Sequence, residues 1–324
     1  MELYSIEKRI ICLTFSFILF IIGSTGNALI IWTIWRIKHL RTVQNMIVVF
    51  LAIFDLLICG YLLPFSMHIL IWNQEPEKRI CKFQAIITAF LFSCSILIIL
   101  LIALSRYVKI CHSQRYDRIC SMRNVIAATV FLCLVAASFV SPLWFVDDLW
   151  LFERSMNSCV FNRYGNIVYS VILIVFVIVI PCASTSLCYV QIYRYVMKAR
   201  NQMHKHWNNG LARQKMKYEE TLTMTQFSVF IVYMFLYFPF GITAIGGQRS
   251  DYPDIFHTVA IYMCYSNSCF NCILYGVLNK NMRRSYRQAL PCINRKYSVK
   301  VHPTSVSGKI QQRNVSQRQQ SVNT

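Results

Sequence analysis

The sequence predicts an all-α membrane protein, a bundle of seven transmembrane helices followed by a short amphipathic eighth helix. Hydrophobic residues make up 56% of the chain and charged residues only 14%, against about 45–50% and about 25% in soluble proteins. The apolar residues fall in seven blocks, each long enough to cross a hydrocarbon core of about 30 Å as a helix. The blocks are residues 10–35, 45–71, 83–105, 125–146, 167–189, 221–245 and 255–278.

The basic residues lie mainly in alternate segments between these blocks. Most of the 33 Lys and Arg residues occur at 36–44, 106–123, 194–217 and after residue 278. Because positively charged loops stay on the cytoplasmic side, we expect a plasma-membrane protein with residues 1–9 outside the cell and a cytoplasmic C-terminus. The net charge of +20 then indicates contact with anionic lipid and an acidic partner rather than with nucleic acid.

Two of the 14 cysteines lie where a disulfide can form. Most of the others fall inside the apolar blocks, where cysteine acts as a small hydrophobic residue. Cys81, at the outer start of the third block, and Cys159, in the second outer loop, share the oxidising side of the membrane. We therefore predict a Cys81–Cys159 disulfide that holds this loop over the outer mouth of the bundle.

Several polar residues are predicted at mid-membrane depth. Asp55 lies about 15 Å of helix from the inner end of its block, and Asn27, Ser95 and Asn271 fall in the same depth band. A carboxylate there costs roughly 2.5–3.5 kcal/mol, so Asp55 is expected to face the bundle interior. Two roles fit this pattern. The residues either join the helices by hydrogen bonds, or Asp55, Ser95, Asn267 and Asn271 surround a hydrated cavity that holds a cation.

Arg106 lies where the third apolar block ends. The helix from Cys81 to Arg106 spans about 37 Å, so Arg106 meets the cytoplasmic surface. It is either an anchor at that surface or one half of an ion pair with Glu219, at the inner start of the sixth block. Rotation of one helix can break such a pair, and Pro239 is expected to kink the sixth helix. Hydroxyl groups at the same level belong to Tyr107, Tyr189 and Tyr275.

Short motifs are spread along the blocks at characteristic places. They are Asn27, Asp55 in L-A-x-x-D, Cys81, Arg106 in S-R-Y, Pro181 with Tyr189, Pro239, and N-C-I-L-Y at 271–275. Together they resemble the landmarks of the rhodopsin-like G-protein-coupled receptors over about residues 10–290. Two stretches, ICHSQRYDRICSMRN at 110–124 and YSNSCFNCILYGVLNKNMRRSY at 265–286, closely resemble the second inner loop and the seventh-span and eighth-helix segment of the melatonin receptors.

The resemblance implies a receptor, and not an enzyme, that binds a small molecule and activates a heterotrimeric G protein of the inhibitory type. Arrestin, membrane lipids and a second receptor in a homodimer or heterodimer are further implied partners. The implied cation of the Asp55 site is an allosteric sodium ion, and no other cofactor is expected. The implied activation switch consists of Arg106, Tyr107, Tyr189, Glu219, Tyr237, Asn271 and Tyr275.

The chain departs from the family pattern at several positions. Ser105 replaces the acid that usually precedes the arginine, and Tyr237 replaces the sixth-span tryptophan. Of the polar residues in the melatonin pocket, the fifth-span His is Val177, the fourth-span Asn is Leu143 and the second-loop Gln is Arg163; only the stacking Phe161 is kept.

A ligand pocket is expected in the outer half of the bundle. By position its lining is Thr88, Phe92, Phe161, Val177, Tyr237, Phe240 and Tyr265. This lining is aromatic and apolar, and no Asp or Glu lies in the outer half of any block. It therefore favours a small neutral ligand, aromatic or lipid-like, over a protonated amine.

Residues 279–292 predict the amphipathic helix on the cytoplasmic membrane surface. Cys292 is either an unmodified thiol or a palmitoylation site. Residues 293–324 are rich in Ser, Thr and Gln and predict a disordered tail. The expected apolar face of the helix is formed by Met282, Tyr286 and Leu290. Candidate kinase sites for arrestin recruitment are Ser298, Ser305, Ser307, Ser316 and Ser321.

Three other functions are alternatives to a signalling receptor, namely a transporter, an enzyme and a receptor-like protein without a ligand. A transporter usually shows repeated halves around a midplane site, and the sequence has no evident internal repeat. The sequence contains no P-loop, H-E-x-x-H or G-x-S-x-G motif that would indicate an enzyme. A receptor-like protein without a ligand, which acts by pairing with other receptors, stays an alternative.

Overall fold

The computed structural model describes residues 3–206, 210–245, 253–278 and 280–289. Within these ranges the chain forms seven long helices and a short final one. They are α1 (Ile6–Arg36), α2 (Val43–Trp72), α3 (Lys78–Cys111), α4 (Met122–Phe145), α5 (Ile167–Ala199), α6 (Gly210–Ile245), α7 (Asp254–Leu278) and α8 (Lys280–Ala289). The backbone of α5 continues as helix to His206, and a short helix, Ser113–Ile119, lies between α3 and α4.

At several helix boundaries a polar cap, and not the edge of the apolar run, sets where the helix begins or ends. α1 begins at Ile6, four residues earlier than its block, since the Ser5 hydroxyl accepts a hydrogen bond from the backbone N–H of Lys8 at 3.4 Å. Thr42, Ser121 and Asn166 cap α2, α4 and α5 in the same way. α2 ends at Asn73, whose left-handed backbone (φ 53°) stops the helix.

Six of the described helices, α1 to α6, have the length and low charge of a membrane span. α7 is also long enough, at 25 residues, but it carries Tyr, Ser, Asn and His side chains over much of its length. Most of these polar side chains are buried inside the bundle. Hydropathy therefore gives α7 the weakest membrane signal, although it packs against α1, α2 and α6 as a full member of the bundle. The predicted seven-helix fold is confirmed.

α3 lies at the centre of the bundle, where it packs against α2, α4, α5 and α6. Its inner half contributes Ile98, Ile99, Ile102 and Ala103 to the largest hydrophobic core, which α2, α4, α5 and α6 complete. A helix surrounded in this way can place side chains at both ends of the bundle with little freedom to shift.

Two glycines of α1 permit a close approach to α2 and α7. A Cβ atom on Gly23 would lie 2.2 Å from the sulfur of Cys59, and one on Gly26 would lie 2.2 Å from the sulfur of Cys272. Both distances are far inside van der Waals contact, so the helices would have to separate to admit any side chain.

We expect Gly26→Ala to destabilise the purified protein by roughly 1–3 kcal/mol of overpacking strain, which lowers its thermal unfolding temperature. Gly241→Ala in α6 is the matched control, because no atom lies within 4 Å of the added Cβ. Helix propensity favours alanine at both sites, so equal stabilisation of the two variants would contradict the close packing of α1 on α7.

Two helices contain a π-helical turn that the apolar pattern did not indicate. The turns are Ile58–Leu62 in α2 and Val175–Val179 in α5. Each inserts one extra residue into the helix and so rotates the residues that follow it. The second turn contains Val177, one of the predicted pocket residues.

The second outer loop forms a β-hairpin, an element the all-α prediction did not include. β1 (Trp150–Glu153) pairs antiparallel with β2 (Ser158–Phe161). The predicted disulfide joins Cys159 of β2 to Cys81 of α3.

Ion pairs fix both sides of this loop. Lys82 donates to Asp147 at 2.7 Å and Arg154 to Glu75 at 2.9 Å. The hydrogen bond from Lys82 and its charge lower the pKa of the exposed Asp147 carboxyl. The disulfide and these pairs hold the end of β2 over the bundle.

α8 follows α7 and packs against α1 and α7. Met282 is buried in a cluster with Ile30, Ile34 and Tyr275, and Tyr286 packs at its edge. Two residues of the expected apolar face therefore contact the bundle itself, because its inner surface offers an apolar cluster to cover. Leu290 and Cys292 lie outside the described residues, as does the predicted tail.

Candidate functional site

The inner end of the bundle contains a buried arginine held by two side chains of α6. Arg106 is only 2% exposed. Its Nη1 donates to Oε2 of Glu219 at 3.2 Å, and its Nε donates to the side-chain oxygen of Gln226. The structure thus brings Arg106 and Glu219 together, as the sequence predicted. The guanidinium is buried while Glu219 keeps 19% of its side chain exposed, so solvent weakens the pair in part.

A second cation, Lys109, contacts the same carboxylate. Its Nζ lies 2.9 Å from Oε1 of Glu219 and donates to Oε1 of Gln44 at 3.1 Å. Glu219 therefore joins α6 to two cations of α3, and Lys109 extends the network to α2. We call the set Arg106, Lys109, Glu219 and Gln226 the inner lock.

Sequence reasoning missed two members of the inner lock. Lys109 lies three residues after Arg106, and residues three apart share one face of a helix. Gln226 lies seven residues, or two turns, after Glu219 and so on the same face of α6. These spacings were the available signals. Many surface pairs show them as well, so the spacings alone did not identify the lock.

The predicted tyrosines occupy different surroundings. Tyr189 is buried and packs edge-on against Phe227, with ring centres 5.2 Å apart. Tyr275 is buried in the inner cluster, and neither hydroxyl has a hydrogen-bond partner among the described groups. Tyr107 packs against His112 at 5.2 Å instead, and no described hydrogen bond joins it to the inner lock.

The short helix after α3 contacts the inner lock through one aromatic ring. Nζ of Lys109 lies 5.6 Å from the ring centre of Tyr116. Burial raises the pKa of the Tyr116 phenol, so the ring stays uncharged beside the cation. Ser105, which precedes the arginine, is buried and supplies no acid.

Three of the predicted mid-membrane polar residues make hydrogen bonds inside the bundle. Nδ2 of Asn271 donates to Oδ2 of Asp55 at 2.8 Å. Nδ2 of Asn27 donates to the backbone oxygens of Gly23 and Ser268, each at 2.9 Å. These bonds join α1, α2 and α7, as the interhelical hydrogen-bond role predicts.

The same residues leave several buried oxygens without a donor. Within the described part of the chain, no hydrogen bond reaches Oδ1 of Asp55, Oγ of Ser95, Oδ1 of Asn267 or Oδ1 of Asn271. A carboxylate with hydroxyl and amide oxygens is the donor set that hard cations prefer. In chemical type these oxygens match the ligands of the predicted sodium ion, whose countercharge would come from Asp55.

We expect sodium to raise the thermal unfolding temperature of the purified protein relative to choline chloride at equal ionic strength. Asp55→Asn should abolish this difference, because it removes the single charge among the candidate ligands. Asp147→Asn, which removes an exposed acid of the outer loop, should keep it. If sodium stabilised Asp55→Asn as much as the unmodified protein, the cation site would be contradicted. The interhelical hydrogen bonds would then be the remaining role of these residues.

A cavity of about 120 Å³ lies between the hairpin and the outer halves of α3, α5, α6 and α7. Six of the seven predicted pocket residues line it, namely Thr88, Phe92, Phe161, Val177, Tyr237 and Phe240. The seventh, Tyr265, is fully buried outside the lining. Its hydroxyl donates to Oγ of Ser158 at 3.4 Å and its ring packs against Phe92, so it supports the pocket from behind.

The described lining residues include no Asp or Glu, but they include the cation Arg163. The expectation of a neutral ligand did not take this side chain into account. Sequence reasoning also missed Tyr233, which stacks on Tyr237 with ring centres 4.2 Å apart. Tyr233 lies one helical turn before Tyr237, on the same face of α6.

A larger groove of about 520 Å³ lies between the outer ends of α1 and α7. Its wall includes Ile11 and Ile255, each 68% exposed at the outer surface of the bundle. None of the predicted pocket residues lines it. The enclosed aromatic cavity is therefore the candidate ligand site.

Comparison with known proteins gives a match over most of the chain. The profile of the family described as 7 transmembrane receptor (rhodopsin family) matches residues 26–275. The chain belongs to this family. It is therefore a G-protein-coupled receptor of the plasma membrane that crosses the bilayer several times, and it is not an enzyme.

The receptor is also similar to individual melatonin receptors. It is 29% identical to the melatonin receptor type 1B of Mus musculus over 280 residues, which cover 83% of this chain and 74% of that protein. It is 29% identical to the type 1B receptor of Homo sapiens over 82% of this chain and 74% of that protein. It is 25% identical to the type 1C receptor of Gallus gallus over 83% of this chain and 79% of that protein.

Proposed function

We propose that the receptor binds a small aromatic or lipid-like molecule, of the size and shape class of melatonin, in the outer cavity. Binding then activates a heterotrimeric G protein of the inhibitory type. The observation that supports this proposal is that α6 connects the two sites. It lines the cavity through Tyr237 and closes the inner lock through Gln226 and Glu219.

Two features of α6 allow it to couple the outer cavity to the inner lock. Tyr237 and Gln226 lie eleven residues, or about 16 Å, apart along it, and Pro239 interrupts its backbone hydrogen bonds next to the cavity. In the cavity, the Tyr237 ring contacts Phe92 edge-on at 5.9 Å and stacks on Tyr233. A ligand that displaces Tyr237 therefore favours a rotation of α6.

The same rotation would open the inner lock. When Glu219 and Gln226 leave Arg106, its guanidinium becomes available to a G-protein segment. Tyr189 and Tyr275 have buried hydroxyls that bond to no described group, so they can stabilise Arg106 in the open arrangement. Ligand and G protein would then favour the same state of one two-state element, which is how binding energy at one site is transmitted to another.

The remaining partners follow from the same topology. With the N-terminus outside, the inner lock and the basic segments face the cytoplasm, where the G protein binds. Arrestin is expected to bind the phosphorylated tail, and lipids to contact α8. Cys292 is a candidate for palmitoylation, and pairing with a second receptor stays compatible with this arrangement.

A ligand screen in cells that express the receptor tests the proposal, with G-protein activation as the readout. A small aromatic or lipid-like agonist that activates an inhibitory G protein is the expected result. Failure of every ligand to change coupling, at normal surface expression, would support the alternative of a ligandless protein that acts by pairing.

A further inference from the structure

Arg163 occupies a defined position at the mouth of the outer cavity. It lies two residues after Phe161, at the end of the hairpin, and it lines the cavity. Its backbone oxygen accepts a hydrogen bond from the hydroxyl of Ser170 on α5 at 2.8 Å. The loop therefore cannot carry this side chain far from the cavity without breaking a contact to α5.

The guanidinium group of Arg163 has an unused donor. Its Nη2 donates to the hydroxyl of Tyr164 at 2.8 Å, and the group lies 4.6 Å from the Tyr164 ring centre. Its Nε is buried and donates to no described group. A buried donor without an acceptor costs about 1–3 kcal/mol, and more when the group is charged. A ligand that places an acceptor beside this Nε–H is therefore favoured.

No acid in the described part of the chain neutralises Arg163. It takes part in none of the four ion pairs there. Two outer acids, Asp147 and Glu75, are paired with Lys82 and Arg154. Among the described lining residues, Arg163 is the one charged side chain, and the others are apolar, aromatic or hydroxylic.

We propose that the receptor's ligand is a monoanion, an aromatic or acyl carboxylate whose carboxylate binds Arg163 and whose apolar body lies among Phe92, Phe161 and Phe240. The inference rests on the proposed function of the cavity as the ligand site, and it replaces the neutral ligand expected from sequence. One guanidinium matches the single charge and the planar fork of a carboxylate. It would leave the second charge of a phosphate monoester without a partner. Deeper in the cavity, the Tyr237 hydroxyl has no described partner and can bond to a polar atom of the ligand body.

Matched pairs of ligands test the charge directly. The panel contains 4-phenylbutyric acid, indole-3-butyric acid and decanoic acid, each with its methyl ester. Binding is measured by the thermal shift of the purified full-length receptor across a concentration series. The variants are Arg163→Gln, which keeps a polar side chain without the charge, Arg163→Lys, and the control Arg154→Gln. The control removes a cation of the same loop that does not line the cavity.

We expect acids to stabilise the receptor at concentrations 10- to 100-fold lower than their esters. Arg163→Gln should remove this preference, Arg163→Lys should keep part of it, and Arg154→Gln should leave it unchanged. Esters that bind as well as acids would overturn the carboxylate proposal and leave the cavity as the ligand site. An acid preference that persists in Arg163→Gln would overturn the role of Arg163. If no acid or ester stabilises any variant, both the carboxylate and the cavity's proposed function are contradicted.

Discussion

Glu219→Ala is expected to raise ligand-independent G-protein signalling on the order of tenfold. The substitution removes the carboxylate that contacts both Arg106 and Lys109, and it leaves the bond to Gln226 as the remaining described hydrogen bond from Arg106 to α6. If the inactive state loses about 1.4 kcal/mol of stability, the equilibrium ratio of active to inactive receptor rises tenfold. We expect the ion pairs of Glu219 to stabilise the inactive state by no more than this amount, because Glu219 is 19% exposed and solvent weakens them.

The measurement is basal G-protein activation at matched surface expression. Glu220→Ala is the control, because it removes a neighbouring acid that takes part in none of the described ion pairs. Glu219→Gln should give an intermediate effect, since an amide can still accept a hydrogen bond from Arg106. Equal basal activity in Glu219→Ala and Glu220→Ala would show that the inner lock does not hold the inactive state.

Phe161→Ala is expected to reduce agonist potency about 10- to 100-fold, which corresponds to roughly 1–3 kcal/mol of lost stacking and burial. Phe161 lines the cavity at the end of β2 and packs edge-on against Tyr169 of α5, with ring centres 5.7 Å apart. Tyr169 in turn donates to the backbone oxygen of Phe139 on α4. The Phe161 ring is thus supported from behind and presents a rigid aromatic surface to a ligand.

Concentration–response curves for any agonist found by screening give the measurement. Phe152→Ala controls for loosening of the hairpin, because Phe152 belongs to β1, packs beside the disulfide and does not line the cavity. Phe161→Tyr keeps the ring and should keep most of the potency. If Phe152→Ala were as harmful as Phe161→Ala, the effect would reflect hairpin stability and not contact with the ligand.

The inner lock shows how far sequence reasoning reaches. Arg106 and Glu219 were predicted as a pair, because a charge at the end of an apolar helix needs a partner and few acids lie at that level. Lys109 and Gln226 were missed, because a basic or amide side chain near the membrane surface is usually solvated. Their roles depend on how α3 and α6 are rotated about their axes, and the chain pattern does not specify that rotation.

The outer cavity shows the same division. The aromatic lining was predicted by position, but Tyr265 lies behind it and Arg163 inside it. The π-helical turn at Val175–Val179 changes which face of α5 meets the cavity, and an extra residue in one helical turn leaves no mark in hydropathy. The hairpin was not predicted because its two strands are short and their alternation of apolar and polar residues is weak.

The sequence by itself determined the membrane class, the seven-helix bundle and the disulfide partners. It did so because a lipid environment demands long apolar helices and makes every buried charge costly. Only the tertiary structure decided which polar groups share a partner and which stay free. Glu219 binds two cations while Arg163 binds no acid among the described residues, because hydrogen bonds and ion pairs depend on distances of a few ångströms between helices and loops far apart in the chain.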